Sequence, residues 1–519
     1  METERLSGTR QIINFIIDDW KLLLFLTVVF AVYFYFTSTF DHFENKGVKF
    51  VKPKIFFGSI ASRILGKKSF TEFQLDIYNQ FKGCRYAGIY EGRRPLLYIF
   101  DPDLVKAVTI RDFDHFVDRN RSLQNQKRRY LSRSLLWLQG NTWKEVRSKL
   151  TPAFSSARLR HMLPLMEACS DQMVEYLNKF DGKEIEMKDT MGHFTLEVIG
   201  SAAFGIKSDA LTDEKSNFLA EKLFNMPMST RLLIFAVLIL FPQAFKYLDI
   251  TFFNHEATMQ LVQMLRDTKA QRKRSGEKKN DFLQLLIDAG EKEKNEVENG
   301  QEVQLDDDTI DAQSFLFLIA GYETSSTLLS YAIHVLATKP DIQTKLREHV
   351  QTVTEGKEIS YELLAELTYL DGFLLETLRV HPPVARIDRL CTKDYPIPDS
   401  DYVVKKGENI AIPVIGFHMD PEIYDKPEEF RPERFIGEAK REVPPHLFLA
   451  FGSGPRNCIG LRFAMFSAKL AMVYLIKNFQ FNTCSKTEDP VKIHKRAMLL
   501  KAQNGIWDVI VDKYSNRHD

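Results

Sequence analysis

Cysteine is scarce in this chain of 519 residues, which holds five: Cys84, Cys169, Cys391, Cys458 and Cys484. They are odd in number, widely scattered and form no C-x-x-C pair. That pattern excludes a disulfide framework and argues against a zinc site. A reducing, cytosol-facing compartment suits it. An excess of one charge is also missing. Lys+Arg and Asp+Glu nearly cancel, leaving a formal net charge of +1, so nothing favours nucleic acid as a partner. No internal repeat or low-complexity domain is evident. From Leu22 to Phe40 there is no charged residue at all. That run is just long enough to cross a hydrocarbon core of roughly 30 Å as a helix. A cleaved signal peptide fits it less well, because the run is long and aromatic and has no clear small-residue cleavage site.

What is present begins with apolar material. Hydrophobic residues make up 44% of the chain and phenylalanine alone numbers 40, enough for a sizeable core and for large apolar cavities. The length allows several domains or one large one. One stretch carries the chemistry: Phe451-Gly-Ser-Gly-Pro-Arg-Asn-Cys-Ile-Gly460. Gly452, Gly454 and Pro455 break regular structure and let the backbone turn tightly. The amphipathic run after Gly460 reads as a long helix, which places Cys458 near a helix N-terminus. Unpaired N–H groups and the helix dipole favour an anion there. The setting predicts a lowered thiol pKa and a thiolate suited to a soft metal. A lone cysteine, taken by itself, is more often a small buried hydrophobe.

The spacing Phe-x-x-Gly-x-Arg-x-Cys-x-Gly reverses that balance. It resembles the haem-binding loop of the cytochromes P-450, the haem-thiolate monooxygenases whose iron is held by a Cys thiolate. Other motifs of the family occur in its order. Trp143 and Arg147 sit four apart on a helix face and resemble the pair that holds a haem propionate. An arginine suits that task because its fork bonds both carboxylate oxygens. Arg386 and Arg456 resemble further propionate ligands, and Phe451, Gly452 and Gly460 belong to the loop around the iron.

Asp308 to Lys339 reads as one long helix, capped by Asp306 to Asp308 and stopped by Pro340. Its middle holds Ala320, Gly321, Glu323 and Thr324. A glycine costs about 1 kcal/mol in a helix interior, and a carboxylate and hydroxyl in an apolar segment need partners. The unremarkable explanation is a solvated face or a Thr bonded back to its own helix. The resemblance implies instead a distal oxygen pocket whose acid–alcohol pair relays protons. Glu376 and Arg379, at i and i+3, can pair directly. With Arg434 downstream they resemble the family's structural Glu–Arg–Arg lock.

The resemblance implies a mainly α fold with a minor β portion. It divides the chain into a tail (1–21), a transmembrane anchor (22–40), a basic linker (41–54) and one haem domain (55–519). Lys46, Lys49, Lys52 and Lys54 place that domain on the cytosolic side, here of the endoplasmic reticulum membrane. Residues 84–100 read as a hairpin, 409–413 as a strand, and the charged run 268–308 as exposed connections around a short helix. The ten apolar residues 232–241 are too few to span a bilayer. They read equally as a buried core helix or as an element dipping into lipid. Haem b, dioxygen and NADPH by way of a diflavin reductase are the implied cofactors, with a role for cytochrome b5 open. The implied reaction inserts one oxygen atom into an apolar small molecule, and the motif details resemble insect microsomal members that oxidise foreign compounds. Two other functions fit the motifs less well. A haem-thiolate isomerase or dehydratase acting on peroxides often lacks the acid–Thr pair. A non-enzymatic haem sensor or electron carrier has no use for a proton relay.

Overall fold

The computed structural model describes residues 2–119, 129–206, 253–276, 278–296 and 305–512, with isolated positions between 211 and 237. The described part is mainly α, with a four-stranded, a three-stranded and a two-stranded sheet. Its backbone is the helix Asp307–Thr338, about 48 Å long at 1.5 Å per residue. Asp306 caps it by accepting from the Thr309 N–H at 2.8 Å, and Asp307 and Asp308 complement the dipole of the first turn. Pro340 cannot continue the ladder and opens the next helix instead.

The helix Met187–Ile199 packs along this central helix unusually closely. A Cβ on Gly321 would lie 2.9 Å from Ile199 Cδ1, and one on Gly192 would lie 3.2 Å from the Tyr322 ring. Gly321 therefore offsets its helix cost with a tight inter-helix contact. The four-stranded sheet runs in the order Tyr86–Glu91, Arg94–Ile99, Asn409–Pro413, Arg386–Leu390. Its second and third strands are parallel and the other pairings antiparallel.

Three regions differ from the sequence expectation. First, residues 2–37 form one continuous helix, because no proline interrupts them, so a helical lead replaces the tail and the helix stops at Thr37. Its apolar window Trp20–Thr37 has mean hydropathy 1.8 and is only 6% buried, which separates it from a core helix. Second, the basic linker is part of the fold. Phe43 is 1% exposed and its ring fills the space above Gly88, where a Cβ would sit 2.2 Å from it. Phe43 N also donates to the Tyr90 hydroxyl at 3.2 Å. Third, the described part of the run 268–308 holds the expected short helix, Phe282–Glu296, and the end of the helix His255–Ser275, and it includes a buried tie. Arg272 and Asp281 are both 5% exposed and paired through two bonds, and Arg272 also donates to Phe204 O at 2.6 Å. Of the apolar run 232–241, most lies outside the described residues.

Candidate active site

A cavity of about 840 Å³ lies between the central helix and the cysteine loop. Cys458 forms part of its wall. The loop is pinned by Cys458 N donating to Phe451 O at 2.7 Å and Asn457 N to Gly454 O at 3.0 Å. Gly452 and Gly454 have φ of 74° and 71°, the left-handed region. Gly454 has no room for a side chain, since a Cβ would sit 1.6 Å from Thr109 O. The helix Leu461–Asn478 starts just beyond, with Gly460 at its N-cap position.

The thiol does not have the lowered pKa expected of it. Cys458 is exposed to the cavity, and its enclosure there pushes the thiol up against the Gly460 N–H and the charges of Arg147 and Arg119, which pull it down. A bound cation favours the thiolate form of such a sulfur.

The arginines around the cavity divide by what they already bond. Arg147 donates to Asn457 O and Oδ1, both at 2.9 Å, and so clamps the residue before Cys458. Arg456 donates to Val117 O at 2.8 Å, Leu135 O at 3.3 Å and Leu138 O at 2.7 Å. Its guanidinium lies 4.2 Å from the ring centre of Trp143. Burial among other arginines pulls Arg456 down to about 8. Arg386 is largely engaged elsewhere: Nη1 donates to Glu91 at 2.6 Å and Tyr98 Oη at 3.1 Å and Nη2 to Asp388 at 3.4 Å, while Nε lies 3.0 Å from Asp388 without a hydrogen bond among the described residues. Arg389, three residues on, has the opposite condition. It is 1% exposed, and its Nε and Nη2 have no hydrogen-bond partner among the described residues. Arg389 and Arg119 both line the cavity. Sequence reasoning missed them, although a strand's alternation puts residues 386 and 388 on one face and 389 on the other.

From the central helix, Ala320, Gly321 and Thr324 line the same cavity. Thr324 Oγ1 donates to Ala320 O at 2.7 Å, which leaves its lone pairs available to the cavity. Glu323 does not join them at the wall. Its Oε1 lies 3.4 Å from Lys188 Nζ, which also donates to Glu323 O at 2.9 Å and Ser326 Oγ at 2.5 Å. Behind the cysteine loop, the structure brings Glu376, Arg379 and Arg434 together. Arg379 and Glu376, both 0% exposed, share two bonds of 2.7 and 2.8 Å, and Arg434 Nε reaches Glu376 Oε1 at 3.3 Å. Arg379 Nη1 donates to His418 O at 2.8 Å. The His418 ring in turn bonds Arg379 O at 3.0 Å and accepts from Leu449 N at 2.9 Å, two residues before Phe451.

The cytochrome P-450 family model matches residues 52–509. The chain belongs to the cytochrome P-450 family. Cytochrome P-450 9e2 of Blattella germanica is 35% identical over 92% of this chain and 95% of that protein. Cytochrome P-450 6k1 of the same insect is 34% identical, covering 93% and 95%. Cytochrome P-450 3A6 of Oryctolagus cuniculus is 33% identical, covering 93% and 95%. The chain is accordingly a P-450 monooxygenase, and the family's haem fits the residues present. A soft sulfur ligand lines the cavity, and a buried guanidinium, Arg389, has two nitrogens with no hydrogen-bond partner among the described residues. A haem carboxylate supplies an anion for them.

Proposed function

We propose that this P-450 oxidises apolar small molecules, foreign compounds or endogenous lipids and hormones, at the endoplasmic reticulum membrane. Electrons come from NADPH through a diflavin reductase. The observation that carries the reading is that Cys458 and Thr324 line one largely apolar cavity. Cys458 would hold the haem iron, and Arg389, Arg119 and Arg147 would hold the propionates, with Trp143 and Arg456 bracing that side. Phe451, Gly452 and Gly460 shape the loop around the sulfur. Arg386 contributes through Glu91 and Asp388 rather than by its own fork.

When bound, the haem supplies dioxygen activation, with one oxygen atom going to the substrate and the other to water. The chain's part is to orient the reactants and to meter protons. Thr324 Oγ1 can accept from a water or substrate-side donor while its own proton rests on Ala320 O. Rotation about the Cβ–Oγ1 bond turns that proton into the cavity, and once it is donated a proton from the acid side replaces it. Glu323 can supply it only through a water or by leaving Lys188, so Lys188 acts as its holder. The central helix and the Ile199 contact at Gly321 keep this wall rigid. The helix ending at Thr37 anchors the domain, with the fold on its lysine-rich, cytosolic side.

The isomerase reading is disfavoured by a hydroxyl presented to the cavity with a carboxylate next to it in sequence. The test is spectroscopic. The reduced, carbonyl-bound protein is expected to show the red-shifted Soret band of thiolate ligation, and Cys458→Ser to lose it. An unchanged band in that variant overturns the ligand assignment. NADPH oxidation that depends on added reductase checks the electron route.

A further inference from the structure

The N-terminal helix and the cavity meet at an aromatic contact. In the window Trp20–Thr37, every residue of which is described, Phe36 alone is buried, at 6% exposure. Its ring stands edge-on to that of Phe56, with 4.8 Å between centres and 65° between planes. Phe56 in turn lines the cavity beside Phe57, Ile60 and Ile64, and it is 42% exposed. Its ring therefore stands where the cavity meets the outside. The backbone at that point is strained, because Phe56 has φ of 68°. Among the described residues two other non-glycine residues, Asp399 and Lys426, have positive φ, and neither carries a ring. A bulky residue in the left-handed region is an outlier that persists where its surroundings enforce it.

The surroundings fix the feet of this loop. Lys54 N donates to Gly58 O at 2.8 Å and Gly58 N to Lys54 O at 2.7 Å. Gly58 lies so close to the hairpin that a Cβ would sit 2.3 Å from both Tyr90 O and Gly92 O, and Ser59 N donates to Tyr90 O at 2.7 Å. Ile55 and Phe56, 41% and 42% exposed, form the tip. The end of the N-terminal helix rests on the same hairpin. Arg93 lies 4.0 Å from the Tyr35 ring centre and donates to Ser38 Oγ at 3.2 Å, and Thr39 Oγ1 donates to Arg93 O. One hairpin thus sets the spacing between the helix end and the feet of the loop. The tip is left as the part free to turn, with the Phe36 ring packed against it from the helix side.

We propose that Phe56 is a gate on the cavity and that the N-terminal helix holds it shut through Phe36. The strained backbone supplies the tendency to swing away, and the edge-on ring contact supplies the latch. The helix is then more than a tether, because its last turn sets how often the cavity opens on that side. This concerns entry and exit and is independent of which molecule reacts. The latch needs only the ring contact, not the helix's place in lipid. A gate has a kinetic signature: it scales arrival and departure by one factor and leaves Kd where it was. A lost wall contact acts mainly on departure instead.

The test is stopped-flow binding of 4-phenylimidazole to the haem-loaded full chain in zwitterionic bilayer discs, read by the Soret shift. Phe56→Ala and Phe36→Ala are each expected to raise both rate constants about fivefold, the scale of one edge-on aromatic pair, with Kd unchanged. Phe36→Leu keeps an apolar block at the contact and should stay near the original rates. Phe34→Ala removes a ring that is 60% exposed on the same helix and should change neither rate. Phe56→Gly repeats the rate measurement with the strain removed. It should melt at a higher temperature than Phe56→Ala, since glycine is at home at positive φ. Unchanged rates in Phe36→Ala overturn the latch. A rise in departure alone, with weakened Kd, makes Phe56 a wall contact and overturns the gate. The same acceleration in Phe34→Ala assigns the effect to the helix as a whole, and the proposal fails there too. A Phe56→Gly variant that melts no higher than Phe56→Ala overturns the strain that drives the swing. Co-elution with the discs checks the membrane anchor separately, so a failed anchor and a failed gate are distinct results.

Discussion

Arg379 and Arg389 are both large, cationic and essentially unexposed, at 0% and 1%. Ten positions apart, they live in opposite conditions. Arg379 is surrounded by acceptors: both Glu376 oxygens, His418 O and Pro427 O, all within 2.8 Å. Arg389 donates to Asp388 O at 3.0 Å and leaves Nε and Nη2 unbonded. The first is a finished structural element and the second an unfinished one. Burial alone does not distinguish a lock from a ligand site; the tally of partners does.

The sharpest way to break the comparison is to remove each arginine. Arg379→Ala leaves the Glu376 carboxylate buried with Arg434 as its remaining cation. Such a loss costs about 3–5 kcal/mol, so the expected result is little folded protein, read by thermal unfolding and by expression. Arg379→Lys should rescue poorly, since a point charge cannot make the paired bonds. Arg389→Met is expected to behave otherwise. The haem-free chain should keep its stability to within about 1 kcal/mol, the scale of the one bond lost, while haem content per chain falls. Arg386→Ala falls between the two: it strips a partner from Glu91 and Asp388 and costs about 2 kcal/mol, moderated because Asp388 is a third exposed. If Arg389→Met destabilises as strongly as Arg379→Ala, the unfinished site is structural after all.

The same contrast explains what was legible beforehand. The central helix, the hairpin at 86–99 and the strand 409–413 could be read because local periodicity and caps carry them, Asp306 and Pro340 among them. The cysteine loop was legible from residue spacing, and Gly454 shows why its glycine is obligatory. Partners distant in sequence were not legible. Nothing local says that Arg386 meets Glu91, 295 positions away, or that Lys188 meets Glu323. Nor does local composition show that Phe43 in a lysine-rich segment fills the space above Gly88. Charge read in a window looks like solvated surface, and only tertiary pairing turns Arg272 into a buried tie. The setting of Cys458 has the same character: the helix start is local, whereas the enclosing cavity wall that raises its thiol comes from distant elements.

A gentler probe is pH. His418 is 0% exposed, and burial pulls its pKa from the ordinary 6.5 down to about 3. The folded ring stays neutral where the unfolded chain binds a proton. Between those two values the unfolded state carries more protons, so stability rises with pH and is lost as pH falls from about 6.5 towards about 3. The lock and the Leu449 contact should loosen together in acid. His418→Gln is expected to flatten the stability–pH slope across that window by about one proton, measured by denaturant titration at several pH values. An unchanged slope would detach the ring from the acid response of the lock.

The smallest effect on stability, and the most telling for chemistry, lies at two neighbours on the central helix. Thr324 lines the cavity and Glu323 is tied to Lys188 away from that wall. Thr324→Ala loses one intrahelical bond, worth about 1 kcal/mol or less, and should leave folding and the carbonyl spectrum intact. Removing a proton relay is another matter, since such groups contribute on the order of a hundredfold or more. Hydrogen peroxide released per NADPH oxidised should therefore rise severalfold. Glu323→Gln keeps the shape and an oxygen acceptor for Lys188 but cannot supply a proton. If Glu323 feeds Thr324, Glu323→Gln should uncouple in the same direction and Glu323→Gln/Thr324→Ala should be no worse than Thr324→Ala alone, because the two act in series. If Glu323→Gln stays coupled, its carboxylate serves only to hold Lys188, and protons must reach Thr324 through water in the cavity. The double variant thus decides whether two adjacent residues form one relay or a wall and its brace.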